Sequence, residues 1–209
     1  EGPGNEFVGE LKVIKDSPPM PIGQWKTSAA IDLGDRSLQT FEAIILVAVA
    51  QKFPACQTVI VQKAEFSRAE IITTTQVDLS ERKLTVGHAN LLAALALTDQ
   101  TDSLDISKNP LGPEGIVTLA RALPFSAMEN LNLSNVELCG KFDSRGRGTF
   151  NATGIAALAG ALSVNTSLVS IDLSSNSIGQ GGATKGITDL TQALSVNMTI
   201  KSCLLYTSP

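Results

Sequence analysis

Histidine, tryptophan and tyrosine each occur once in the 209 residues, and aromatic residues make up only 4 %. Any Ser–His–Asp or Cys–His catalytic arrangement would have to use His88. That residue lies in Gly87-His88-Ala89-Asn90, just ahead of the apolar run Leu91-Leu92-Ala93-Ala94-Leu95, with no nucleophile signature around it. It is therefore read as a loop or first-turn residue, and no catalytic residue is expected. Cysteine is scarce too. Cys56, Cys139 and Cys203 are an odd number at wide spacing, which is neither a disulfide framework nor a CxxC zinc pattern. They read as small buried residues of a protein kept in a reducing compartment.

Charge is also sparse. Charged residues are 17 %, with 16 Lys and Arg against 20 Asp and Glu, a net charge of −4. A mildly acidic chain argues against nucleic-acid binding through a basic surface. No apolar run reaches the ~18 residues of a membrane span; the longest, Ala43–Ala50, has eight. The chain opens on Glu1 with no signal-peptide pattern. The expected location is intracellular: cytoplasmic, or organellar after removal of a leader. What the sequence does have is 43 % hydrophobic residues, enough for a real core.

Those residues recur with a period. Ser103-Leu104-Asp105-Ile106-Ser107-Lys108-Asn109-Pro110-Leu111-Gly112, Asn130–Leu138 and Ser170–Gly179 each read apolar-x-apolar, then polar residues, then an apolar residue. Weaker copies start at Ala30 and Gln76, a degenerate one covers Val59-Ile60-Val61, and a last one starts at Cys203. Aligning the second apolar residue of each (Leu33, Val61, Leu79, Ile106, Leu133, Leu173, Leu205) gives spacings of 28, 18, 27, 27, 40 and 32. The underlying unit is therefore 27 or 28 residues. The 18 means a repeat without its helix, or a Val61 strand that is no true repeat. The 40 and 32 are insertions. Helical periodicity follows most copies, as in Gly115–Leu123 and Gly154–Leu162, where apolar residues recur at i, i+3, i+4 and i+7. Asn165 and Asn197 follow such helices and suit C-terminal caps.

The motifs Leu104-x-Ile106-x-x-Asn109-x-Leu111-Gly112 and Ile171-x-Leu173-x-x-Asn176-x-Ile178-Gly179 resemble the leucine-rich repeat family, in its ribonuclease-inhibitor-like class. The resemblance covers roughly Ala30 to Leu205. It implies an α/β leucine-rich-repeat solenoid, with a curved parallel β-sheet on the concave side and helices on the convex side. Lone short strands and lone amphipathic helices cannot bury themselves, but stacked units can. Three departures stand out. Arg36 and Arg82 occupy the place of the family's Asn, and the central repeat has its Asn shifted to Asn135. The strand-end turns of Arg36 and Arg82 are expected to lack a side-chain cap and to be less regular. Residues 1–26 are expected to form an extended arm, with Trp25 as an N-terminal cap, and residues 27–209 the solenoid, with an inserted loop at 140–151. Leu204–Pro209 starts a strand and stops. It also resembles a translation of sequencing-adapter DNA, and on that reading the natural protein continues with more repeats.

Two surfaces are candidates for binding. On the concave face, Asp32, Asp78, Asp105, Asn132 and Asp172 point outward, and two positions further on come Gly34, Ser80, Ser107, Ser134 and Ser174. Stacked carboxylates repel, which a cationic partner would relieve. The strip is either a site for basic residues of another protein or simply the common Leu-Asp-Leu-Ser pattern facing solvent. The second surface is a loop edge. Lys141, Phe142, Arg145, Arg147 and Phe150 belong to a flexible, cationic insertion, and Lys185 lies in the loop at the same point of the next repeat. Long loops on a rigid scaffold are usual docking sites. Neither loop matches a phosphate-binding glycine motif. Three sequons (Asn151, Asn165 and Asn197) are ascribed to chance, two of them sitting at capping positions.

The expected function is a non-enzymatic protein–protein interaction scaffold or adaptor, a subunit of a larger assembly. Its partners are other proteins. No cofactor, metal, nucleic acid, membrane span or small-molecule substrate is expected. The alternative is a regulatory module, such as a GTPase-activating leucine-rich-repeat protein acting through Arg145 or Arg147.

Overall fold

The computed structural model describes residues 29–35, 38–52, 55, 57–72, 75–97, 100–143, 145–180 and 184–206. The expectations for residues 1–26, Trp25, Arg36 and Cys56 lie outside these.

The repeat spacing becomes strand pairing directly. Strands β4 (Gln76–Asp78), β5 (Ser103–Asp105), β6 (Asn130–Asn132), β7 (Ser170–Asp172) and β8 (Ser202–Leu204) form one parallel sheet in chain order. Val77, Leu104, Leu131, Ile171 and Cys203 stand in register across it, and Leu79, Ile106, Leu133 and Leu173 form a second, fully buried column. Each such side chain contributes about 1.5–3 kcal/mol of burial. The spacings of 27, 27, 40 and 32 all preserve this register, so the extra residues are looped out of the sheet. Helices α3 (Ala89–Ala96), α4 (Gly112–Ala120), α5 (Thr153–Leu162) and α6 (Thr184–Val196) connect the strands and cover the back. They approach closely because the first turn of each of the later helices carries glycine. A Cβ on Gly154 would lie 2.6 Å from the Leu138 carbonyl oxygen, and one on Gly186 would lie 2.8 Å from Ile155 Cγ2.

The N-terminal part departs from a continuous solenoid. Strand β1 (Ala30–Asp32) pairs parallel with β2 (Thr58–Val61), but β3 (Ala64–Ser67) then turns back antiparallel on β2. The physical reason is the two-residue turn Gln62-Lys63, whose φ angles are +47° and +68°. Two consecutive left-handed residues are what a tight hairpin requires. Because β3 takes the free edge of β2, β4 has no strand to pair with there, and the sheet divides into three strands and five. The spacing of 18 thus marks a repeat reduced to a hairpin and the short α2 (Arg68–Ile72). The core nevertheless runs through both parts: α1 (Thr40–Lys52) packs against α3.

Candidate interaction surfaces

The turns after the strands show what fixes the surface. Asn109 and Asn176 are buried, and each serves two repeats. Asn109 Nδ2 donates to the carbonyls of Ile106 (2.9 Å) and Ser107 (3.1 Å) in its own repeat and of Leu79 (2.9 Å) in the preceding one. Its Oδ1 accepts from the Leu84 amide at 2.9 Å. Asn176 does the same one pair further on, donating to Leu133, Leu173 and Ser174 and accepting from the amides of Val136 and Leu138. This corrects two expectations. The Arg82 turn is not uncapped, because Asn109 caps it from the next repeat. Arg82 itself points outward, to the Glu65 carbonyl and the Glu70 carboxylate. Nor is the Asn of the central repeat merely shifted: Asn135 is exposed at φ +53°, and buried Val136 fills the ladder position beneath the amide of Asn176.

The strip of acidic residues on the strand face is arranged as expected but is already engaged. Asp78, Asp105, Asn132 and Asp172 are neighbours in register. The Oδ1 of each accepts the amide two residues on: Ser80 (2.9 Å), Ser107 (2.8 Å), Ser134 (3.0 Å) and Ser174 (2.8 Å). Asp32 does so with Gly34 in the smaller sheet, at 2.8 Å. These Asx turns fix the strand ends. The bond from the Ser80 amide holds the Asp78 carboxyl below its usual range. Repulsion along the row is interrupted by Asn132, whose Nδ2 donates to the second oxygen of Asp105 at 2.7 Å. Ser107 and Ser174 are buried, not presented.

The described residues of the inserted loop form a hairpin held by a specific clamp. Phe142 and Gly148 form an antiparallel bridge. Asp143 holds the tip: its Oδ1 accepts the amides of Arg145 and Arg147, both at 2.9 Å, and its Oδ2 accepts Arg147 Nε at 2.7 Å. These bonds, led by the Arg147 amide, lower the Asp143 pKa. Gly140 and Gly148 are needed there, since a Cβ would meet the carbonyl oxygens of Thr149 at 2.5 Å and Lys141 at 2.2 Å.

The expected loop residues therefore separate. Arg147 is paired with Asp143, Lys185 with Asp189, and Lys141 with Glu137 at 3.8 Å. Phe142 and Phe150 are half-buried, and Phe150 packs on the core. Arg145 is exposed, and among the described residues its guanidinium has no partner. Gln180, which sequence reading missed, stands beside the tip: a Cβ on Gly146 would lie 4.0 Å from its Oε1. Gly146 and Gln180, one from each loop, are therefore neighbours.

His88 is structural. It is buried, its Nε2 lies 3.0 Å from the Val61 carbonyl, and its Nδ1 accepts the Thr85 amide at 3.0 Å. Burial pushes its pKa down. Cys139 is buried and free, its thiol pushed up to about 11 by burial, and Cys203 is half-buried and free. Contrary to expectation, Asn165 and Asn197 do not cap the helices they follow but reach back to the preceding repeat: the C-cap of α5 is Ser163, Asn165 donates to the Leu123 carbonyl, and Asn197 donates to the carbonyls of Leu162 (2.6 Å), at the end of α5, and of Asn165 (2.9 Å). Among the described residues no helix is long and apolar enough to cross a membrane.

Residues 103–120 and 164–185 match the family model for the Leucine Rich repeat. These are leucine-rich repeats. The register of the five-stranded sheet continues them as a leucine-rich-repeat solenoid. No curated protein matches it. Solved structures similar to it include a tropomodulin C-terminal domain from Caenorhabditis elegans, 12 % identical with a TM-score of 0.41, over 84 % of this chain and 90 % of that one. Another is leiomodin-1 actin-binding site 2, 13 % identical with a TM-score of 0.42, over 85 % of this chain and 87 % of that one.

Proposed function

We propose that this leucine-rich-repeat module is a non-enzymatic adaptor, of the ribonuclease-inhibitor-like class, that docks an acidic surface of another protein on its loop edge as a subunit of a larger assembly in the reducing interior of the cell. The observation that carries the reading is the clamped hairpin. Asp143 neutralises Arg147 and holds the main chain of the turn, which leaves Arg145 as an exposed cation that has no partner among the described residues. The main chain at Arg145 is already fixed by Asp143, so less backbone freedom is lost when the side chain pairs with a carboxylate than on a mobile loop. The acidic strip on the strand face is the weaker candidate, because its carboxylates and hydroxyls already serve the turns.

The test is cross-linking and size fractionation of the native extract, repeated with Arg145→Glu. The wild-type chain is expected in a large complex, with cross-links from Lys141 and Lys185, and the charge reversal is expected to release it. Migration at 21.9 kDa without cross-links would sink the assembly reading. Links from Lys108 alone would move the partner to the strand face.

A second reading follows from the same tip. If the module activates a GTPase through a loop arginine, Arg145 is the residue that can reach out, since Arg147 is tied to Asp143. Nucleotide hydrolysis by a candidate GTPase would then fall with Arg145→Ala and be unchanged with Arg147→Ala. Equal hydrolysis with and without the chain disposes of it.

A further inference from the structure

We propose that the opposite edge, where helices return to strands, pairs this chain with a second copy of itself. Four successive units each place one apolar residue there: Leu97, Val164 and Val196 lie seven residues before the first core residue of the following strand, and Phe125 lies six before its own. Leu97, Phe125, Val164 and Val196 are 37 %, 79 %, 60 % and 50 % exposed, and Met198 beside the last is 94 % exposed. The turns that carry them are held in register from one repeat to the next. Asn165 bonds to the Leu123 carbonyl, Ser167 Oγ to the Ser126 carbonyl at 2.7 Å, and Asn197 to the Leu162 carbonyl. The result is a rigid apolar ladder facing water.

Beside it lies a shallow groove between α4 and α5, lined by Val117, Ala120, Pro124, Ala157 and Gly160 with Arg121 at its rim. Helix α5 is unusual for a solvent-facing helix, since Thr153–Leu162 contains no charged residue. Its exposed interior glycine is also unexplained within one chain. Gly154 and Gly186 are required by close neighbours, but a Cβ on Gly160 would meet nothing within 4 Å. Glycine there weakens the helix and brings no packing in return.

A second copy accounts for both features, because the knob and the groove lie side by side on one surface. Across a two-fold axis with the helices antiparallel, Phe125 of each chain faces the groove of the other, the self-complementary arrangement that an isologous dimer requires. Removal of side chains at Gly160 lets the partner's ring approach the helix backbone. The five ladder residues expose on the order of 500 Å² per chain, so two copies cover roughly 1,000 Å² before the grooves are added, which is where specific interfaces begin.

The test is sedimentation equilibrium of the full chain over a range of concentrations up to about 100 μM, with helicity and thermal melting in parallel. Wild type is expected to show a monomer–dimer equilibrium. Phe125→Ser and Gly160→Arg are each expected to weaken it by about tenfold or more. A Cβ at Gly160 meets no atom of its own chain within 4 Å, and arginine is a better helix former than glycine, so Gly160→Arg should melt no lower than wild type. A monomer at every concentration overturns the proposal. So does a dimer that Gly160→Arg leaves intact, which would place the contact on another face.

Discussion

The two sheets are built from one signature, apolar-x-apolar followed by a polar turn, yet they end differently. In the five-stranded sheet each strand from β4 to β7 is met by the strand of the next repeat, and the turns are tied across repeats by Asn109 and Asn176. In the three-stranded sheet the hairpin at Gln62-Lys63 folds β3 onto the edge that β4 would have used. The join is then made by helix packing and a few side chains: His88 to Val61, Arg82 to Glu65 and Glu70, and Asn90 Nδ2 to the Leu38 carbonyl at 2.7 Å. A repeat can therefore lose its strand edge and stay in the core. What it loses is the continuous ladder of backbone bonds, and individual side chains replace it.

That contrast can be broken most sharply at Asn176. Its replacement by alanine removes five hydrogen bonds and orphans buried carbonyls and amides in two repeats. The expected loss is about 3–5 kcal/mol in urea unfolding, from bonds worth about 1 kcal/mol each plus unmet buried groups. His88→Ala at the seam should cost about 2–3 kcal/mol, through a cavity and two lost bonds.

The same histidine gives the seam a pH signature. Its folded pKa is lowered, so it is held neutral. As pH falls through about 6.5 the unfolded chain takes up the proton first, and stability declines until the folded pKa is passed. His88→Gln should flatten the decline that begins as pH falls through the ordinary histidine range; an unchanged slope would assign it to other groups.

Smaller effects sharpen the comparison. Lys63→Gly relieves a left-handed lysine and should stabilise the hairpin by up to about 1 kcal/mol, read as a raised urea midpoint. Arg82→Ala should cost less than about 1 kcal/mol, because the Glu70 pair is partly exposed and Asn109 already caps that turn.

The five-stranded sheet was legible in the sequence because alternation and a 27-residue period fix a strand and its register together. The first two copies were less so. Val59-Ile60-Val61 has the right alternation, but nothing in Gln62-Lys63 advertises a left-handed turn, which usually shows Asn or Gly. The ladder asparagines were visible, but not their backward reach: a motif aligned within one repeat does not show bonds to its neighbour. At the loop edge the residue types were right and their roles were not. Asp143 looked like one more polar loop residue, and only the fold showed that it ties up Arg147 and frees Arg145. The apolar ladder had a signal that went unread. Val164 and Val196 each precede an asparagine after Leu-Ser, and the repeat frame puts Leu97 at the same place and Phe125 one residue later, where the asparagine would stand.

The double service of Asn109 and Asn176 also sets how the chain can be edited. Removing the repeat of β5 alone would strip the turn after β4, and removing that of β7 alone would strip the turn after β6. A boundary between β5 and β6 leaves both asparagines with all the groups they hold. In this solenoid the unit that can be duplicated, deleted or transplanted is the couple of repeats, a donor and the predecessor it covers, and never the single repeat.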